Sequence, residues 1–256
     1  MTGVEFSDPN VADYFIFDEQ KYVNEVMHSC TVSPHLSLQL NKLYGISPTV
    51  LVNSMLYSHS LSSVSGSDVS ARQVLGIPNN DKIIIYSGSV TTQRRVHLPL
   101  YALSKIPNLH YVIVTNKTFR SDSYLSEIVD NAKSMKISHR LHFLPYVEPD
   151  RAWEVMIGCN ATLSMLPRYP NGDVALPNKL FDSIKASVPI LTSDNPQLKE
   201  FVDSRNCGLA FKADCEVDLF NKLQQLLVRD FHIDPSAFRK YTWDVQFRNL
   251  MNKIKY

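Results

Sequence analysis

Lys82-Ile83-Ile84-Ile85-Tyr86-Ser87-Gly88-Ser89-Val90-Thr91-Thr92-Gln93-Arg94-Arg95 is the stretch on which the fold turns. Residues 83–86 form an unbroken apolar run, as expected of a strand buried on both faces. Ser87-Gly88 then breaks the chain direction, and helical character returns over residues 97–105. The same alternation repeats downstream. Apolar runs at 111–115, 141–143, 161–165, 189–192 and 209–211 are each followed by a helical pattern, at 122–135, 151–157, 178–186, 197–204 and 216–228. Asp150 and Asp214 stand where the N-caps of the helices at 151–157 and 216–228 are expected. About six β–α units in a row predict α/β architecture, a doubly wound parallel sheet with helices on both faces.

The flanks read differently. Residues 19–29 and 34–44 have helical character, and 30–32 and 49–52 that of short strands, the second ending at Asn53. A Ser-rich stretch, 58–70, follows as a linker or exposed loop. Residues 235–256 suggest one or two further helices, with Trp243, Phe247, Leu250 and Ile254 at helical spacing, a stripe that should pack on something. The expected division is a partial N-terminal α/β segment and linker at 1–71, a main domain at 72–234 and C-terminal helices at 235–256.

The chain has 256 residues, 44% hydrophobic and 20% charged, with a net charge of +1. That is ordinary for a soluble globular protein. Near-neutral charge gives no field for nucleic acid and at most peripheral contact with a membrane, so any anion site must be local. Cys30, Cys159, Cys207 and Cys215 form no C-x-x-C pair and do not cluster with histidines, so no metal site is expected. Scattered cysteines and a first segment, MTGVEFSDPN, without basic and apolar signal regions fit a reducing, cytoplasmic setting. No apolar run approaches the ~20 residues of a bilayer span. The glycosylation patterns at Asn116 and Asn160 are read as chance.

In a doubly wound sheet, ligands bind outside the carboxyl ends of the strands. Two loops there carry chemistry. After residues 83–86, Gly88 allows a tight turn, and hydroxyl residues lead to Arg94 and Arg95. Backbone N–H groups and guanidinium together suit a diphosphate, the bland alternative being solvated arginines. It is no Walker A loop, and no G-x-G-x-x-G follows any strand. The second loop is Leu176-Pro177-Asn178-Lys179-Leu180-Phe181-Asp182. Pro177 is placed to start a helix, which puts Asn178 and Lys179 in its first turn. A cation there is unfavourable unless an anion joins it. Either Lys179 meets a phosphate, or it snorkels into water. Asp182, one turn deeper, either accepts from ribose hydroxyls or serves the helix dipole.

These motifs resemble the C-terminal domain of group 1 glycosyltransferases of the GT-B type, over roughly residues 83–256. Gly88 and Arg94 match the family's glycine and its basic residue six positions on, although Arg95 stands where many members have a second glycine. Leu176-Pro-Asn-Lys-Leu-Phe181 matches the family's Leu-Pro-Asn-Lys-Leu-Phe-Glu, with Asp182 for the glutamate. Ala186-Ser187-Val188-Pro189 replaces Ala-Gly-x-Pro. Leu141-His-Phe-Leu-Pro-Tyr-Val147 is similar to the strand before the base-binding loop, and Tyr241-Thr-Trp243 to the terminal segment whose helix crosses to the other domain. Residues 30–53 look like the end of the N-terminal domain, whose earlier strands and glycine loop have no counterpart here; the catalytic histidine that this half often supplies in the family is not assigned to a residue. The paired glutamates of many retaining members are also missing. Val174 stands eight before Asp182, and Asp173 is one residue out of register, in a stretch from Arg168 through Asn171 and Gly172 that is a candidate sugar lining.

The resemblance implies a Rossmann-like donor half and a metal-independent, hexosyltransferase-like enzyme of polysaccharide biosynthesis, with no cofactor beyond its substrate. A sugar would pass from a nucleotide-diphosphate sugar to a glycan or lipid-linked acceptor. Donor diphosphate contacts would be Gly88, Arg94, Asn178 and Lys179; Asp182 would bind ribose. Tyr146 or its backbone is a base-contact candidate, with plain packing as the other reading. No catalytic residue is assigned. Glu216-Val-Asp218 has the letters of a metal motif but opens an amphipathic helix and reads as dipole complement. Two other classes stay open: a non-catalytic nucleotide-sugar-binding subunit needing an N-terminal domain, partner or homo-oligomer, and a sugar-nucleotide epimerase of the same architecture.

Overall fold

The computed structural model describes residues 9–53, 69–118, 122–148 and 151–254. Its centre is a six-stranded, wholly parallel sheet made of β3 (Lys82–Ser87), β4 (Leu109–Val114), β5 (Leu141–Leu144), β6 (Ala161–Ser164), β7 (Ile190–Ser193) and β8 (Gly208–Phe211), in the order β5-β4-β3-β6-β7-β8. The chain therefore builds outward from β3 to β5, then returns to the other side of β3 and builds outward again. The reversal lies between β3 and β6, the place where ligands enter doubly wound sheets.

Successive side chains of β3 alternate between two cores, as strand geometry requires. Ile84 and Tyr86 join Tyr111, Ile113, Leu163 and Leu191 beneath α4 (Pro99–Lys105), α5 (Ser123–Ser134) and α9 (Glu216–Val228). Ile83 and Ile85 join Val112 and Val114 on the opposite face, beside Ala71 of α3 (Ala71–Leu75). On that face α7 (Asn178–Lys185) and α8 (Pro196–Arg205) bury Leu180, Phe181, Ile184, Leu198 and Phe201 against Ile190. Both faces are thus covered, which is why the strands read as continuous apolar runs rather than alternating ones. A four-residue helix, α6 (Pro170–Asp173), sits in the loop after β6.

The N-terminal segment has α1 (Pro9–Tyr22), β1 (Cys30–Thr31), α2 (Pro34–Tyr44) and β2 (Thr49–Val50). β1 and β2 pair in parallel as a separate two-stranded sheet. Ser33 caps α2 by accepting from the Leu36 N–H, and Gly45 closes it with φ of 70°. Side-chain bonds tie this segment to the rest. The Gln197 side-chain oxygen accepts from the His35 N–H and its Nδ1. Gln246, on α10 (Trp243–Ile254), accepts from the Val52 N–H at 2.8 Å and donates to its carbonyl at 3.2 Å.

Several expectations are corrected. The first helix is Pro9–Tyr22 rather than 19–29, and the helix after Gly88 starts at Pro99, whose ring fixes the first turn, rather than at 97. Asp214 does not cap α9: Cys215 holds the N-cap position without a side-chain bond, and Asp214 instead pairs with Arg95. In the stretch 151–157 no α-helix forms: Arg151 and Glu154–Met156 are in 3-10 turns. The cap assigned to Asp150 and most of the Ser-rich stretch lie outside the described residues. The tail holds a 3-10 helix, Pro235–Tyr241, before α10. No described helix is long and apolar enough to cross a membrane.

Candidate functional site

The two loops singled out in the sequence meet at the reversal between β3 and β6. Gly88 has φ of 149°, and a Cβ placed there would lie 2.9 Å from Lys179 Nζ. That position favours glycine for its backbone angle, which other residues rarely adopt, while the lysine tip could swing aside from a small side chain. Nζ in turn stands 4.1 Å from the centre of the Tyr86 ring, over its face. This is cation–π geometry. The Tyr86 hydroxyl donates to the Ser89 carbonyl at 2.7 Å, pinning the loop just past Gly88. Beyond it a 3-10 turn, Thr92–Arg94, brings Arg94 near enough to act on both Tyr86 and Lys179.

The electrostatics of the cluster are uncompensated. The Lys179 ammonium is deep among protein atoms, although part of the side chain still reaches solvent. Burial, reinforced by Arg94 and opposed by Asp182, pulls its pKa down to about 7. Among the described residues neither Arg94 nor Lys179 has a carboxylate within ion-pair distance. Asp182, half-buried one turn into α7, is pushed up to about 6 by burial, an effect that Lys185 and Lys179 moderate. Two cations and a helix end with no partnering anion describe a site prepared for one. Pro177 holds the N-cap position of α7 and offers no side-chain oxygen, so no side chain caps its first turn. Pro177 thus stands one residue before the first helical position expected for it. Asn178 is the first helical residue and is exposed.

Tyr146 is exposed beside this cluster, close enough to act on Tyr86. Its backbone N–H is already taken by the Asn116 side chain, at 2.9 Å. The loop after β6 is held by a second network. Arg168 grips Asp173 through two bonds of 2.7 and 3.1 Å, and Asn195, after β7, donates to Asp173 at 3.0 Å. Asn53, at the end of the N-terminal segment, donates to the Leu176 carbonyl just before α7. Gly88, Arg94, Asn178, Lys179 and Asp182 carry a local signal in the sequence, whereas Tyr86 was not singled out there. Its only signal was an aromatic residue closing an apolar run, which also reads as core. Asn195 was missed as well, because only the fold brings the ends of β6 and β7 together. Among the described residues no group of three or more His, Cys, Asp or Glu side chains is arranged to hold a metal.

Residues 69–242 match the family described as "Glycosyl transferases group 1", and among curated proteins none matches the chain. In fold the chain is similar to Anabaena Alr3699/HepE in complex with UDP (TM-score 0.77, 15% identity, 98% of this chain and 68% of that one). It is similar to a glycosyltransferase from Rickettsia africae ESF-5 (TM-score 0.73, 12% identity, 100% and 69% coverage). A third is WaaG, a glycosyltransferase involved in lipopolysaccharide biosynthesis (TM-score 0.66, 17% identity, 97% and 68% coverage). The chain spans about two thirds of the length of such solved structures.

Proposed function

The chain belongs to the group 1 glycosyl transferases, and on that footing we propose that it transfers a sugar, a hexose by preference, from a nucleoside-diphosphate sugar to a glycan or lipid-linked acceptor. The observation that carries this reading is the meeting of Gly88, Arg94 and Lys179 at the reversal between β3 and β6, beside the uncapped end of α7. The leaving group of such a transfer is a nucleoside diphosphate, and stabilising its developing charge is the main electrostatic task. Arg94, Lys179 and the α7 N-terminus supply that stabilisation without a metal. Asp182 accepts from the ribose hydroxyls, and Tyr146 offers its ring, not its N–H, to the base. Four free cysteines, one of them exposed, favour a cytoplasmic setting.

A panel of nucleoside-diphosphate sugars in a thermal-shift assay, with and without EDTA, tests the reading. A ligand at 100 times its Kd adds about 2.7 kcal/mol. Arg94→Ala and Lys179→Ala each remove a charge-assisted bond worth about 1.5–3 kcal/mol, roughly ten- to a hundredfold in affinity. They should weaken diphosphate binding far more than nucleoside binding, whereas Asp182→Asn weakens the nucleoside too. Calorimetry with nucleoside, monophosphate and diphosphate separates the cases. No shift with any nucleoside diphosphate, or equal losses across the ligands in the Arg94 and Lys179 variants, defeats the assignment. A shift that EDTA abolishes defeats the metal-independent part.

A second reading concerns turnover rather than binding. No residue of α2 is buried, and Tyr14, Met27, Leu38 and Leu43 of the N-terminal segment are exposed. We propose that an acceptor-side α/β layer beyond these two strands, supplied in cis or by a partner, is needed for full transfer. Donor turnover onto an acceptor by these 256 residues alone, as a monomer, would contradict it.

A further inference from the structure

We infer that Tyr86 is a positioning residue of the anion site, carrying the Lys179 side chain on its ring, and that entry of a nucleoside diphosphate is coupled to uptake of a proton by Lys179. This deepens the donor-site reading and rests on it. The geometry is that of one side chain serving two loops. Tyr86 is the last fully buried side chain of β3, its hydroxyl locked to the Ser89 carbonyl at 2.7 Å. Lys179 Nζ lies over its ring, 4.1 Å from the centre, and a Cβ at Gly88 would come within 2.9 Å of the same nitrogen. Remove the ring and Nζ loses the platform that aims it at the space beyond Gly88.

The protonation part follows from what surrounds Nζ. From β3 it meets the neutral Tyr86 phenol, whose own pKa burial raises further. From the turn after β3 it meets the Arg94 cation, and from its own helix the Asp182 carboxylate. Tyr146, on the loop after β5, acts only through Tyr86. Burial and Arg94 favour the neutral amine, and Asp182, itself pushed up to about 6, only partly restores the charge. With a pKa of about 7, close to half of the lysine is neutral at pH 7. An entering diphosphate places two negative charges beside Nζ and returns its affinity for a proton toward the ordinary lysine value. The balance is simple: the amine takes one proton from buffer, no bond breaks, and the ammonium then faces the phosphates. A neutral resting amine also spares the empty site part of the repulsion between Lys179 and Arg94.

Calorimetry of the full chain with UDP-glucose and GDP-mannose, each in two buffers of different ionisation enthalpy, reads the proton count. These esters do not titrate near neutrality, unlike free diphosphates. The expected uptake is about half a proton at pH 7, rising to about nine-tenths at pH 8, with affinity falling toward tenfold per pH unit above pH 7. Lys179→Arg keeps a permanent charge and should bind with no uptake and no break. Tyr86→Phe keeps the ring and should keep the wild-type break. Tyr86→Leu should weaken binding about threefold to thirtyfold and move the break to lower pH, because the ring favours the ammonium. Tyr86→Met replaces it if leucine leaves β3 unstable. Binding without proton uptake in the wild type, or uptake that persists in Lys179→Arg, overturns the proton coupling while leaving the donor site standing. A break unmoved in the ring-less variant, or moved equally by Tyr86→Phe, overturns the role of Tyr86. Absence of binding by any nucleoside-diphosphate sugar overturns the donor-site reading, and this inference with it.

Discussion

Lys179 shows at the residue scale how a buried cation beside a second one costs stability. A lysine whose folded pKa is lowered binds its proton less tightly than in the unfolded chain. Between about pH 7 and its ordinary value the unfolded state holds more protons, so this group makes the ligand-free protein more stable as pH rises through that window. Asp182, raised to about 6, acts in the opposite direction at lower pH, losing stability as the pH climbs from its ordinary value. The two costs overlap near neutrality, where Asp182 is mostly ionised and Lys179 is partly protonated. Lys179→Met should therefore raise the stability of the empty protein at pH 7, on the order of 1 kcal/mol because the site is part-solvated. It should also flatten the alkaline slope while abolishing diphosphate binding. Thermal melts between pH 6.5 and 9 measure this, and a variant less stable than wild type at every pH would refute it. Two further residues carry backbone strain. Arg95 and Ser187 have φ of 50° and 56°, and both stand where the sequence resemblance implies a glycine in many members. Left-handed backbone costs a side-chain-bearing residue about 1–2 kcal/mol, and glycine returns part of that gain as unfolded-state entropy. Ser187→Gly should stabilise by about 0.5 kcal/mol, read as a higher urea midpoint at unchanged slope. Arg95→Gly should gain less, since it also gives up the half-exposed ion pair with Asp214.

The loop after β6 shows the element scale. Between β6 and α7 the chain makes α6, and the Arg168–Asp173 pair, bridged by Asn195, ties that helix to the end of β7. A Cβ at Gly172 would sit 2.6 Å from the Pro167 carbonyl oxygen and 2.9 Å from the Tyr169 ring. Backbone cannot yield as a side chain can, so Gly172→Ala should displace the loop and cost about 1–3 kcal/mol. The displacement should also reach Asp182 and Lys179 through Leu176, whose carbonyl Asn53 holds. Equilibrium unfolding together with donor affinity checks both effects. An alanine variant as stable as wild type would show that the turn has room the geometry does not suggest.

For the whole molecule, the exposed apolar side chains concentrate at the chain's two ends rather than over the six-stranded sheet. Tyr14, Phe17, Met27, Leu38 and Leu43 are exposed on the N-terminal segment, and the stacked rings of Trp243 and Phe247 on α10. Exposed apolar side chains gathered in this way point to an interface. Replacing Trp243 and Phe247 together with serine should lower self-association or partner binding, read by light scattering, while leaving donor affinity unchanged within about twofold. The proposed donor site is built instead from β3, the loops after β3 and β6, and the start of α7, and neither Trp243 nor Phe247 lies on any of these.

The parallel sheet was legible because burial on both faces imprints continuous apolar runs, such as 83–86, on the sequence itself. The helix over 34–44 was legible with its ends for the same local reason, whereas the start at Pro99 was placed two residues early. Gly88, Arg94 and Lys179 were legible as residues because the chemistry of a glycine turn and a first-turn cation is local too. What the tertiary structure decided was adjacency. That Lys179 rests on Tyr86, that Asp214 pairs with Arg95 rather than capping α9, and that Asn195 reaches Asp173 all follow from strand order. Partners that are 93, 119 and 22 residues apart leave no local pattern, because the sheet that joins them exists only once the whole chain has folded.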